Sequence, residues 1–209
     1  MKVIILCDGE HPLKDQISVE VNQASLLIAA DGGAVTARTL GLRPDVIIGD
    51  LDSYQPTGEE TAELVHDTDQ ETNDLEKALI YAKKRGASEV TIYGATGKRL
   101  DHTLKNLSVL LQFNPVFSSI RIIDRFSTIR MIESPFRENF PLNTSVSLFP
   151  LSGRVEGITT KGLKYPLTNG ILENGIQDGS SNETVIKRVE IEFKKGDLLL
   201  IINNQTDRF

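Results

Sequence analysis

Asp50 and Asp52 follow directly on the apolar run Val46-Ile47-Ile48-Gly49, with only Leu51 between them. The β-branched run predicts a short strand buried on both faces and ended by Gly49. In extended chain alternate side chains share a face, so the two carboxylates can converge on one point. Two anions held together repel, and a divalent cation relieves that repulsion most directly. A plain turn would also use Asp52-Ser53, and D-x-D alone does not separate the two readings. Recurrence favours the metal. Asp31 follows the apolar run Leu26 to Ala30, Asp74 opens a helix, and Asp101 lies in the turn after a further strand. In a parallel sheet such positions share the edge where ligands bind. Carboxylates there fit Mg²⁺ bridging polyphosphate oxygens, with Lys98 and Arg99 free to meet the phosphate directly.

The elements that must hold these residues follow from the pattern. Val3 to Cys7, Leu26 to Ala30, Val46 to Ile48, Glu89 to Tyr93 and Ile120 to Asp124 read as strands. After the second, Asp31-Gly32-Gly33-Ala34 permits a tight turn and close backbone approach by a ligand, and Val35 to Leu40 reads as a helix stopped by Gly41. The clearest helix carries Leu75, Ala78, Leu79 and Ala82 on one face, with Asn73 and Glu76 spaced as a capping box. Lys83, Lys84 and Arg85 then suit its C-terminal end, and Gly86 the position beyond it. Asp74 falls at its first position, where an acid also complements the helix dipole. Gly94-Ala95-Thr96-Gly97-Lys98-Arg99 joins a strand to a helix with Leu104, Leu107, Leu110 and Leu111 apolar. A Gly-rich turn with two cations at that junction is a plausible phosphate cradle, although neither G-x-x-x-x-G-K-[ST] nor G-x-G-x-x-G is present. Asp101 also fits an N-cap.

Helical periodicity ends near Thr128. Short alternating runs follow at Val146/Leu148, Val189/Ile191/Phe193 and Leu198 to Ile202, and Lys195-Gly196-Asp197 suits a hairpin. The expected fold is an N-terminal α/β domain with a mostly parallel sheet, residues 1–138, and a smaller all-β sandwich, residues 139–209. Pro135 and Pro141 mark the boundary. By pattern alone, Thr159 to Tyr165 and Gly179 to Asn182 pass as surface hairpins.

Composition bounds the function. The chain has 209 residues, 25% charged and 39% hydrophobic, ample for a real core. A formal charge of −6 argues against a general nucleic-acid binder. His11, His66 and His102 stand in no ligand spacing, which argues against zinc. Cys7 is the one cysteine and reads as a buried small hydrophobe. No apolar segment approaches the ~20 residues of a membrane span, and Val3 to Cys7 is too short for a signal segment. The expected setting is the cytoplasm, with no membrane partner.

Six stretches occur in order: Asp31-Gly32-Gly33-Ala34, Gly49-Asp50-Leu51-Asp52-Ser53, Asn73-Asp74-Leu75-Glu76-Lys77, Gly97-Lys98-Arg99-Leu100-Asp101-His102 with Asn106, Lys161-Gly162-Leu163-Lys164-Tyr165, and Ser181-Asn182. Their order and spacing, from about residue 3 to 204, resemble the thiamine pyrophosphokinase family. The resemblance implies transfer of the diphosphate of ATP to the hydroxyl of thiamine, giving AMP. It also implies Mg²⁺, a β-sandwich C-terminal domain, and a homodimer with the active site at the subunit interface. Carried over by position, Asp50, Asp52, Asp74 and Asp101 would serve the metal and triphosphate, and Asp31 would line the same site. Gly32, Gly33 and Lys98 would belong to the co-substrate site, Arg99 would contact phosphate, and Asn106 would help shape the nucleotide pocket. Lys161, Tyr165, Ser181 and Asn182 would contact thiamine. Two departures stand out: Tyr165 replaces a common Trp, and Glu71 and Asn73 break a frequent Gln-Asp-x-Thr-Asp. Competing expectations are a diphosphokinase with another acceptor, such as a hydroxymethylpterin, and a non-catalytic nucleotide- or metal-binding regulator.

Overall fold

The structure, a computed structural model, describes residues 1–11, 13–58 and 60–203; residues 204–209 of the expected second domain lie outside the described residues. It contains two compact units, Met1–Arg125 and a second that begins at Phe126.

In the first unit β1 (Lys2–Leu6), β2 (Leu26–Ala30) and β3 (Val46–Gly49) are buried at every residue except Lys2. Strands covered on both faces must be apolar throughout, which is why these runs read so clearly. With β4 (Glu63–His66), β5 (Glu89–Tyr93) and β6 (Ser119–Ile123) they form a parallel array in the order β6-β5-β1-β2-β3-β4. Register aligns the strand ends: Leu6 pairs with Ala29 and Tyr93, Ala30 with Ile48, and Tyr93 with Ile123. The residues that follow each strand therefore emerge along one edge. The chain winds outward from β1 to β4 and returns to β5 on the other side of β1. That reversal opens a crevice at the carboxyl ends of β1 and β5.

Among the described residues four α-helices accompany these strands, α1 (Lys14–Val21), α2 (Gly33–Leu40), α3 (Asp74–Lys84) and α4 (Leu100–Phe113), the last followed by a short 3-10 turn, Asn114–Val116. α2 packs on β1 and β2, while α3 packs on β1 to β3 and on α4. The expected capping box of α3 is formed: Asn73 Oδ1 accepts the Glu76 N–H, and Glu76 Oε2 accepts the Asn73 N–H, both at 2.9 Å. Leu75, Ala78, Leu79 and Ala82 are its buried apolar residues, as the spacing predicts. On α4 the buried face runs through Asn106, Val109, Leu110 and Phe113, leaving Leu104 exposed. Sequence reading missed α1 and β4. α1 buries a single residue, Ile17, and β4 is an exposed edge strand with charged ends, so neither has a strong apolar period.

The second unit holds β7 (Ser127–Ile132), β8 (Phe136–Asn139), β9 (Ser145–Pro150), β10 (Val155–Lys161), β11 (Gly170–Leu172), β12 (Gly179–Glu183), β13 (Arg188–Glu192) and β14 (Leu198–Asn203). They pair antiparallel in two sheets, β12-β9-β14-β7 and β11-β10-β13-β8. Between them lies a core that includes Val146, Leu148, Val155, Ile158, Leu172, Ile191 and Leu198. Each fully buried Leu or Ile there contributes roughly 1.5–3 kcal/mol. The compact division falls before β7 rather than at residues 138/139, because β7 pairs with β14 and β8 with β13. Lys195-Gly196-Asp197 does not close a hairpin. It joins β13 to β14, which belong to different sheets. No helix among the described residues is long and apolar enough to cross a membrane.

Candidate active site

Gly49 ends β3 at a point where a Cβ would stand 2.8 Å from Asp31 Cβ and 3.0 Å from Asp74 Oδ1. Only glycine lets these two carboxylates close on the strand end. The chain then turns through Leu51 at φ 61°, a backbone conformation that costs a bulky residue on the order of 1–3 kcal/mol. Asp31 is likewise at φ 42° and Lys98 at φ 49°. Positive-φ residues thus cluster in the loops that carry the carboxylates and the cations.

The outcome of that strain is a cluster of charge. Carboxylate oxygens of Asp31, Asp50 and Asp52 all lie within 4.8 Å of one another. Asp31 is buried at 3% exposure; its Oδ2 accepts the Ser53 N–H at 3.2 Å, while Oδ1 has no hydrogen-bond partner among the described residues. Burial pushes the Asp31 carboxyl up; its bonds from Ser53 offset part of this, and the Asp52 charge adds to it. Ser53 Oγ also donates to Asp52 Oδ1 at 2.8 Å. Three hard oxygen donors, one of them buried and unpartnered, suit a divalent cation such as Mg²⁺.

Asp74, the first residue of α3, borders this group. Burial raises its carboxyl, Lys77 lowers it, and the charges of Asp31 and Asp50 raise it again. Lys77 is an unusual neighbour: its side chain is 3% exposed, yet its ammonium makes one long contact, 3.5 Å to Asp74 Oδ1. It lines a polar cleft of about 300 Å³ together with Asp50, Asp69 and Lys105.

A network holds Asp74 in place. Asn73 Nδ2 donates to Asn106 Oδ1 at 3.0 Å, and Asn106 Nδ2 donates to the Ala95 carbonyl at 2.8 Å. Glu76, whose carboxylate caps Asn73, also pairs with Lys105 at 2.9 Å. Asn106 therefore ties the start of α3 to α4 and to the turn after β5. Asn106→Leu keeps the volume but leaves the Ala95 carbonyl and the Asn73 amide without these partners. It should cost roughly 2–4 kcal/mol of stability, read as a fall in denaturation midpoint.

Across the crevice, Cys7, Asp8 and Gly9 follow β1, and Gly94 to Arg99 follow β5. The two loops stay joined by Gly9 N–H to Gly94 O at 2.6 Å and Glu10 N–H to Thr96 O at 2.7 Å. Together with Asp31, Gly32, Asp74 and Asn106 they line a cavity of about 320 Å³. Gly33, expected beside Gly32, does not line it. A Cβ there would lie 1.9 Å from the Leu6 carbonyl, so this glycine serves the packing of α2 on β1. Lys98 and Arg99 do line the cavity, each paired: Lys98 Nζ to Asp8 Oδ1 at 3.0 Å and Arg99 to both oxygens of Asp101. Asp101 is thus not brought into the acidic group. It sits at the second position of α4, not at the cap, and Arg99 holds its carboxyl down. Burial pushes the Cys7 thiol up to about 12, so this cavity-lining cysteine stays protonated and unreactive.

Sequence reasoning gave no role to Asp8, Lys77 or His102, although Lys77 and His102 stand in the stretches that carry the resemblance. Asp8 carries the same signal as Asp31 and Asp50, a carboxylate just after a parallel strand. Lys77 gives no such signal, since its burial arises from tertiary packing.

In the second unit Tyr165 is 61% exposed and is tied to Asn182: the Tyr165 N–H donates to Asn182 Oδ1 at 3.1 Å, and Asn182 Nδ2 donates to the Tyr165 carbonyl at 2.8 Å. Ser181 beside it adopts φ 58°, and its N–H donates to Ser147 Oγ. Lys164 Nζ lies 5.8 Å from the Tyr165 ring centroid. Lys161 is exposed, with Glu190 3.9 Å away. Tyr165 and Ser181, distant in sequence, therefore lie at one surface around an exposed aromatic ring, with buried Asn182 fixing the Tyr165 backbone beneath.

Residues 18–123 match the family description "Thiamin pyrophosphokinase, catalytic domain", and residues 132–198 match "Thiamin pyrophosphokinase, vitamin B1 binding domain". The chain is 29% identical to a thiamine pyrophosphokinase of Bacillus subtilis, over 96% of this chain and 98% of that protein. It is 31% identical to thiamine pyrophosphokinase 1 of rice, Oryza sativa, over 75% of this chain and 64% of that one. The crystal structure of the thiamine pyrophosphokinase from Bacillus subtilis superposes with a TM-score of 0.82 at 26% identity, covering 98% of this chain and 100% of that chain. The chain belongs to the thiamine pyrophosphokinase family.

Proposed function

We propose that this chain transfers the diphosphate of ATP to the hydroxyl of thiamine, giving thiamine diphosphate and AMP, with Mg²⁺ held by Asp31, Asp50 and Asp52 and bordered by Asp74. The observation that carries this reading is the three-carboxylate group at the carboxyl ends of β2 and β3, with Asp31 Oδ1 buried and without a hydrogen-bond partner among the described residues, and Asp31 itself lining the crevice where the strand order reverses. When bound, the ion supplies positive charge that neutralises the phosphate oxygens and the departing AMP.

The chain's own residues do the rest by positioning and electrostatics. Lys98 and Arg99 exchange Asp8 and Asp101 for phosphate oxygens. The turn from Gly94 to Gly97 admits the phosphates close to the backbone. Lys77 holds a buried charge beside Asp50 and Asp74, toward a phosphoryl oxygen. The Asn73–Asn106 link keeps Asp74 aimed at the same point. The thiamine hydroxyl then attacks the β-phosphorus in line. Asp101, already lowered by Arg99, is a poor proton acceptor, so the hydroxyl proton is not assigned to it.

The Tyr165 patch binds thiamine, its ring facing the cationic heterocycle and Ser181 and Asn182 fixing the loop beneath. Tyr165→Ala should raise KM for thiamine about tenfold while leaving KM for ATP within roughly twofold. Equal losses for both substrates would remove the stacking role. The same reading makes the chain a cytoplasmic homodimer, the dimer supported by exposed Tyr165, Ile176 and Ile186 in the second unit. Sedimentation at working concentration tests the dimer.

The deciding experiment is AMP formation from ATP and Mg²⁺ with and without thiamine. Thiamine-dependent AMP with matching thiamine diphosphate is expected. ADP as product would overturn the β-phosphorus attack, and tight nucleotide binding without turnover would make the chain a regulator.

A further inference from the structure

A separate cavity of about 390 Å³ lies beside α2 and the loop that follows the acidic stretch. Its size falls within the roughly 300–1,000 Å³ usual for small-molecule sites. Its floor is apolar: Ala34, Ile47 and Tyr54 belong to one buried cluster, with Ala62 packed against it. Tyr54 itself is 7% exposed. Arg38 and Arg43 stand in the wall, and neither guanidinium has a hydrogen bond or ion pair among the described residues.

Among the described residues, the carboxylates of Glu60 and Asp45 are already committed. Glu60 Oε1 accepts from the Tyr54 hydroxyl at 2.7 Å and from the Thr57 N–H at 2.6 Å, and Oε2 accepts the Gly58 N–H at 2.9 Å. Those bonds hold the Glu60 carboxyl down to about 2, so it stays saturated and anionic without meeting either arginine. Asp45, two residues from Arg43, accepts the Leu27 N–H at 2.8 Å. In a chain of net charge −6, this wall carries two guanidiniums without a hydrogen bond or ion pair among the described residues. Arginine forks match phosphate and carboxylate oxygens bidentately.

We infer that this cavity is a second binding site, distinct from the acidic crevice, for a small organic anion. Its apolar or aromatic body rests on Ile47, Tyr54 and Ala62, and its phosphate or carboxylate is held by Arg38 and Arg43. The pocket backs directly on the acidic loop, since Tyr54 follows Ser53, whose N–H anchors Asp31.

The test is calorimetric titration of the whole chain with phenyl phosphate, benzoate and inorganic phosphate, each with saturating Mg-ATP present to fill the crevice. Phenyl phosphate or benzoate should bind, whichever binds more tightly naming the anionic group, and inorganic phosphate should bind about tenfold more weakly or not at all. Arg38→Gln combined with Arg43→Gln should weaken binding of the aryl anion at least about tenfold. Both arginines are exposed, so the fold and thiamine-dependent AMP formation should persist in that variant; this separates failure of the second site from failure of the proposed reaction. Absence of aryl-anion binding up to about 10 mM, equal binding of inorganic phosphate, or unchanged binding in the double variant would each overturn the site.

Discussion

Asp52→Asn is expected to abolish turnover while making the metal-free chain slightly more stable. The two effects share one cause. In the folded chain Asp31, Asp50 and Asp52 hold carboxylate oxygens within 4.8 Å, and the neighbouring charge of Asp52 helps keep the Asp31 carboxyl raised. Removing one charge relieves that repulsion, worth about 1 kcal/mol or less because Asp52 is exposed to screening water, a rise of up to roughly 3 °C in melting temperature. Little structure is lost with it. The Asp52 side chain's hydrogen bond is to the adjacent Ser53 hydroxyl, and an amide oxygen can accept that bond as well. The catalytic loss is of another order. A neutral amide in place of an anionic ligand weakens Mg²⁺ and misplaces the charge set against the phosphates, at a cost on the order of 10³-fold in kcat/KM. Asp50→Asn should behave alike. A readout independent of activity is the stabilisation by Mg²⁺: wild type should gain about 2.7 kcal/mol at a hundred times the dissociation constant, and each variant far less at the same concentration. Near wild-type activity in either variant, or an undiminished Mg²⁺ effect, would remove the acidic group from the mechanism.

The parts legible in sequence were those where local chemistry and tertiary role coincide. Buried parallel strands need unbroken apolar runs, so Val46 to Ile48 and Leu26 to Ala30 announced themselves, and the carboxylates after them followed. Asn73 and Glu76 predicted a capping box because a helix start must satisfy its own N–H groups wherever it sits. The resemblance added the substrate chemistry, which no spacing supplies. What stayed hidden depends on contacts between distant segments. The expected placing of Asp101 with the metal ligands followed its position after a strand, but Arg99 beside it takes both oxygens. Gly33 resembled a phosphate-loop glycine and is instead the point where α2 meets Leu6. The early start of the second unit was hidden because β7 and β8 gain their meaning only from β14 and β13, about sixty residues on. β4 was hidden for a simpler reason: an edge strand needs no apolar alternation, and Glu63-Leu64-Val65-His66 shows none.

Lys77→Met should separate stability from function in the opposite way to a core substitution. A lysine with a 3% exposed side chain and one 3.5 Å contact is poorly compensated: two of its three donors have no partner among the described residues. Methionine has nearly the same length and no charge to desolvate, and replacing a buried ionic group by an apolar one of similar volume is often neutral or stabilising. Asp74, at 37% side-chain exposure, keeps access to water when Lys77 is gone. The unfolding midpoint should therefore hold or rise. Activity should not, because this ammonium, more buried than that of Lys105, lines the cleft beside Asp50 and Asp74, where a fixed charge acts on phosphate at low reorganisation cost. A fall of about 100-fold in kcat/KM for ATP is expected, with KM for thiamine much less affected. The affinity for Mg²⁺ alone should move the other way, up severalfold, since removing a positive charge near Asp74 and Asp50 deepens the negative potential that attracts the ion. That opposition of signs distinguishes a phosphate-binding lysine from one that only props up the metal ligands. If Lys77→Met weakens Mg²⁺ and ATP together, Lys77 acts through Asp74. If ATP binding is unchanged, the buried ammonium has no part in holding the phosphates.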